Sequence, residues 1–128
     1  MSWTWHEARQ AMVDAELEQQ ASEQHMRDTA KEAAVAKRDY QRALAVRIVE
    51  LKARGNAVTA CETIAKGEHD ISDLRFQRDL KEAEAQAARA ANYRHSANRQ
   101  DTLKLTEWSM RRELADGNIH TGLKAVGA

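Results

Sequence analysis

Arg54-Gly55-Asn56-Ala57-Val58-Thr59-Ala60-Cys61-Glu62-Thr63-Ile64-Ala65-Lys66-Gly67-Glu68-His69-Asp70 holds the only two glycines before residue 117. Residues 1–54 on one side and 68–116 on the other contain neither glycine nor proline. Uninterrupted stretches of this length on both sides of a breaker-rich segment describe two long helices folded back on each other. The whole chain has no proline, 24 alanines and 31% charged residues, which is the composition of long helices. No stretch alternates apolar and polar residues over a strand's length, so the expected fold class is all-α, a long antiparallel helical hairpin.

The punctuation sets the expected boundaries. The first helix should start near Trp5, capped by Ser2 or Thr4, and continue to Arg54, roughly 75 Å at ~1.5 Å per residue. Gly55-Asn56 tolerates a left-handed backbone and suits a helix C-terminus, where Lys52 and Arg54 complement the dipole. Thr59-Ala60-Cys61-Glu62 reads as a capping box, predicting a short helix over 60–66 that Gly67 ends. Asp70 to Asp73 offers a further cap, predicting a second long helix over 71–115, with a small, loosely held tail over 118–128.

Charge tests the hairpin independently. Residues 1–28 hold six acids and two bases, and residues 37–54 hold six bases and two acids; residues 68–84 carry six acids and three bases, and residues 89–112 six bases and two acids. Antiparallel folding sets each acidic segment beside a basic one. Exposed pairs contribute only ~0–1 kcal/mol each, so this pattern selects orientation more than it stabilises. An antiparallel dimer of extended chains would satisfy the same pattern.

A helical stripe of Tyr40, Leu44, Ile48 and Leu51 is expected to meet Ile71, Leu74, Phe76 and Leu80, with Val58 and Ile64 closing the turn end. Farther away the expected seam is alanine: Ala30, Ala33 and Ala36 against Ala83, Ala87, Ala90 and Ala91. Alanine permits close approach but buries little area, and the apolar heptad is irregular. Such a layer is expected to gain burial as a homodimer, in a dimeric four-helix bundle or coiled coil, or by docking on a partner.

All three tryptophans fall at the open end, Trp3 and Trp5 with Met12 on one side and Trp108 with Met110 and Leu114 on the other. They either staple the termini together or form an interaction hot spot with Arg111 and Arg112. Residues Trp3, Trp5, Trp108, Arg111 and Arg112 are therefore the candidate partner-binding set. Lys37, Arg38, Arg42, Arg47, Lys52 and Arg54 make a basic stretch, and Arg89, Arg94, Arg99, Lys104, Arg111 and Arg112 a second. Of these, Lys37, Arg38, Arg42, Arg47 and Arg54 are the candidate nucleic-acid contacts. A neutral formal charge and a pI near 7.0 favour solvated or internally paired faces instead.

No catalytic constellation, phosphate-cradling loop or cofactor motif is present in the sequence, so no enzymatic activity and no cofactor are expected. The five histidines share no helix face at ligand spacing. Glu68-His69-Asp70 beside Asp73 reads as a capping segment before it reads as a metal cluster. Cys61 reads as a small buried apolar residue, and a lone cysteine with no membrane-length apolar run fits a soluble protein of a reducing compartment.

The run Ala43 to Gly55, followed by Val58-Thr59, by Ile64-Ala65-Lys66-Gly67 and by Leu74-Arg75-Phe76-Gln77-Arg78-Asp79, resembles small helical-hairpin accessory proteins encoded by bacteriophages and prophages. The resemblance covers about residues 37–114 and centres on the turn. Asn56-Ala57 stands where those proteins have an aromatic-proline pair, and the extension from Trp3 to Asp28 lies outside the pattern. The resemblance implies a long helix, a turn and a second long helix, in a phage protein acting in the host cytoplasm without membrane attachment. Together with the residue patterns it gives the expected function: a non-enzymatic accessory protein that binds another protein, for example an inhibitor of a host defence complex such as a CRISPR effector. The alternatives are a nucleic-acid-binding factor in phage replication or recombination and a structural virion component.

Overall fold

The computed structural model describes residues 4–116 as three helices, α1 (Trp5–Ala53), α2 (Val58–Gly67) and α3 (His69–Asp116), with no strand among the described residues. The expectations for Ser2, Trp3 and the tail over 118–128 concern residues outside the described ones.

Thr4 caps α1 in a reciprocal box. The Glu7 N–H donates to Thr4 Oγ1 (3.2 Å) and the Thr4 N–H donates to the Glu7 carboxylate (3.1 Å). At the other end Gly55 takes φ 90°, the Gly55 N–H donates to the Lys52 carbonyl (3.0 Å) and the Asn56 N–H to the Leu51 carbonyl (3.2 Å). This is a Schellman ending, and the Asn56 side-chain amide reinforces it with a second bond to the Leu51 carbonyl (3.1 Å).

The expected capping box at Thr59 does not form. Helix α2 begins at Val58, two residues earlier than expected, with Ala57 as an extended N-cap that offers no side-chain bond. Only Ala57 separates the Schellman ending from the helix, so Thr59 already lies inside it, and Glu62 turns forward to Lys66 (2.7 Å). This phase buries Cys61 and Ala65 against Leu51, with Leu44 and Ile48 packed on the same cluster. One extended residue, Glu68, connects α2 to α3, which starts at His69 rather than Ile71.

The chain divides into two compact units. In the unit His25–Arg89, antiparallel pairing is fixed by Glu32 with Lys81 (3.5 Å) and by Arg47 with Glu68 (2.6 Å). Tyr40, Leu51 and Ile71 are buried as expected, and the Arg78 guanidinium lies 4.6 Å above the Tyr40 ring. Four expected core residues face outward instead: Phe76 (64% exposed), Val58 (69%), Ile64 and Leu80. The inward phase of α3 is set by Ile71 and Leu74. Phe76 follows Leu74 by two residues, which at ~100° per residue carries it to the far side. The seam alanines are likewise shifted: Ala85 and Ala88 are buried, whereas Ala83 and Ala87 are exposed, and on α1 Ala33 and Ala36 are half-buried while Ala30 is exposed.

In the other unit, described over 4–24 and 90–116, partners run in opposite order along the two helices: Trp5 with Glu113, Ala8 with Thr106, Glu16 with Arg99, Glu18 with His95 and Gln19 with Asn92. Its seam positions recur in alternating steps of three and four, as Ala8, Met12, Ala15, Gln19 and Ser22 on α1, and Asn92, His95, Arg99, Thr102, Thr106 and Ser109 on α3. That is coiled-coil spacing filled with small and polar residues. Ala90, expected in the seam, is exposed, and Ala91 is half-buried.

Glu16 with Arg99 and Arg47 with Glu68 are the two matches that the charge polarity calls for, acidic start to basic end and basic end to acidic start.

Candidate protein-binding surface

The unit described over 4–24 and 90–116 carries the described tryptophans. Trp5 is half-buried, and its backbone N–H donates to Glu113 Oε1 at 2.6 Å, which ties the first turn of α1 to the last turns of α3. Trp108 does not share in this staple. It is 50% exposed, and the Arg112 guanidinium lies 5.1 Å from its ring centroid, one helical turn further on. A cation held over indole contributes ~0.5–1 kcal/mol at an exposed site and fixes the ring's orientation.

Leu105 precedes Trp108 by three residues and is also exposed, so Leu105, Trp108 and Arg112 form one ridge along α3. Arg111 is exposed beside it. The structure therefore separates the expected set: Trp108, Arg111 and Arg112 cluster on the outer surface of α3, and Trp5 belongs to the seal between the helices. Trp3 lies outside the described residues.

A second apolar flank lies across the seam. Met12, Val13, Glu16, Leu17, Arg99 and Leu103 line an open groove of about 330 Å³. Met110 and Leu114 continue the Leu103 ridge along α3 at steps of seven and four. Met12, Met110 and Leu114 were expected at the open end beside the tryptophans, whereas Val13, Leu17 and Leu103 were not singled out from the sequence.

The basic stretch of α1 is not a uniform cationic surface. Arg47 donates to both Glu68 (2.6 Å) and Glu50 (2.9 Å), and these hydrogen bonds raise its pKa above the ordinary arginine value. Arg38 meets Asp39 (3.5 Å), Arg42 shares a groove with Asp39 and Glu50, and Lys37 lies in a groove with Arg78, Glu82 and Arg89. Arg54 is exposed beyond the end of α1. Acids interleave with the cations, and the five residues do not share one face.

No group of three or more metal-ligating side chains converges among the described residues. His69 Nε2 lies 3.3 Å from Asp73, one turn along the same helix. The Cys61 thiol is buried and donates to the Ala57 carbonyl at 3.2 Å, the packing role expected of it. No described helix is long and apolar enough to cross a membrane.

No protein-family model matches the chain, and no curated protein and no solved structure matches it.

Proposed function

We propose that this protein is a non-enzymatic binding module whose Leu105-Trp108-Arg112 ridge docks on another protein. The observation that carries the proposal is the state of Trp108, a tryptophan half exposed on a helix exterior and held in place by Arg112. Tryptophan and arginine are the residue types on which interface energy concentrates, and a ring already fixed by its neighbour loses less freedom on binding. The phage accessory role suggested by the turn segment fits this reading: a rigid helical face can occlude or bridge a host complex, such as a defence effector, without any chemistry of its own.

The interleaved acids around Arg38, Arg42 and Arg47 speak against a nucleic-acid surface, since phosphate binding needs a face with surplus positive charge.

The test is affinity capture of tagged protein from a phage-host lysate, with and without nuclease, using wild type and Trp108→Ala. A stoichiometric protein retained after nuclease by wild type and lost with Trp108→Ala is the expected result. Capture that vanishes with nuclease, or that Trp108→Ala leaves unchanged, overturns the proposal.

A further inference from the structure

The ridge of Trp108 is not electrically neutral. Positions three, four and seven residues from Trp108 return to its side of α3, because ~100° per residue brings each within about 60° of it. They set Arg111 and Arg112 on the C-terminal side of the ring, with Lys104 and Asp101 on the N-terminal side and Leu105 alongside. Three bases and one acid thus surround a half-exposed indole.

The carboxylates of this unit do not neutralise those bases. Glu7 accepts from the Thr4 N–H, Asp14 from the Gln10 amide and Glu113 from the Trp5 N–H. Glu16 pairs with Arg99, and Glu18 lies 3.8 Å from His95. Lys104 and Arg111 are exposed and have no ion-pair partner among the described residues, while Arg112 lies over the ring. Cations left unpaired around an apolar anchor select what docks there: they attract a surface of carboxylates and repel a basic one.

We infer that the partner of this ridge presents an acidic protein surface, with an apolar socket for Trp108 and Leu105 and carboxylates that meet Lys104 and Arg111. The inference rests on the binding reading above and names the chemistry of its partner. Nucleic acid is also anionic, but a phosphate backbone offers no socket for Leu105 and meets Asp101 on the same side of the helix. Discrete carboxylates can be spaced to avoid that acid.

The test uses the full chain as bait in nuclease-treated phage-host lysate. Lys104→Glu combined with Arg111→Glu, both at exposed positions, is expected to reduce the captured protein at least about tenfold while circular dichroism reports unchanged helix content. Lys104→Arg should retain capture, and added salt should weaken capture by wild type. A carbodiimide, which joins an amine to a carboxylate without a spacer, is expected to link Lys104 of the wild type to an aspartate or glutamate of the captured protein. Capture that Trp108→Ala abolishes but the double charge variant leaves unchanged overturns the acidic partner and leaves the binding reading intact, as does a complex in which Lys104 forms no such link. Capture indifferent to Trp108→Ala, or lost with nuclease, overturns both.

Discussion

Arg47 of α1 reaches across to Glu68, the single extended residue between α2 and α3, and the 2.6 Å contact closes the turn from outside the Leu51-Cys61-Ala65 cluster. Glu50 holds the same guanidinium from the other side at 2.9 Å. Glu68→Gln removes the charge while keeping an acceptor. It is expected to lower Tm slightly, less than the loss of the glycine ending described next, with the difference from wild type shrinking in high salt. Thermal unfolding at two ionic strengths checks this.

Gly55 is the only described residue with a positive φ, and a Cβ added there would meet nothing within 4 Å. The cost of Gly55→Ala is therefore the left-handed backbone alone, about 1–2 kcal/mol. Urea unfolding should show a lower midpoint with an unchanged m-value. Gly55→Asn should recover part of the loss, since asparagine enters this region more readily.

Ser109 is 1% exposed and its hydroxyl is unpartnered. Ser109→Ala removes a buried polar group with almost no change of volume, so it is expected to stabilise the protein by about 1 kcal/mol. The same denaturation experiment reads it as a higher midpoint.

Much of the fold was legible from particular residues. Gly55-Asn56 announced the Schellman ending, Thr4 the first cap, and the four charge blocks the antiparallel order. The alanine seam was not legible because α3 carries Ala83, Ala85, Ala87, Ala88, Ala90 and Ala91, which surround the helix and leave almost no hydrophobic contrast to set its phase. Polar seam residues such as Gln19, Thr102 and Thr106 misled in the opposite direction, since they occupy heptad positions where the pattern calls for leucine. The cluster of tryptophans pointed to the right end of the helices, but only the structure separates stapled Trp5 from half-exposed Trp108.

Trp108→Ala is expected to leave Tm within about 0.5 kcal/mol-equivalent of wild type, as for other surface changes, while abolishing partner capture. Glu113→Ala should do the reverse: it removes the acceptor of the Trp5 N–H, frays the start of α1 and spares the ridge. Hydrogen exchange at the first turn of α1, set beside capture from lysate, separates the two effects.

The Glu62 carboxylate accepts a hydrogen bond from Lys66, and that bond and the lysine's charge hold its pKa below the usual 4.5. The unfolded chain therefore takes up this proton at a higher pH than the folded one. The pair's contribution is present above the usual glutamate range and fades as pH falls through the lowered folded value. A small loss of stability is expected as pH falls through and below the ordinary glutamate range, and its Glu62 share should be absent from Glu62→Gln in a pH series of urea midpoints.

The alternating three-and-four spacing of the seam also governs how such a chain can change in length. Removing or adding seven residues in α1 of a unit, with a matching change in α3, returns every remaining side chain to its former face. Increments of one, two or five residues rotate the ridge of Trp108 or the flank of Leu17 away from its position. Size in this architecture is thus a stepped variable, and lengthening by whole heptads in both helices moves the two surfaces along the axis without turning them.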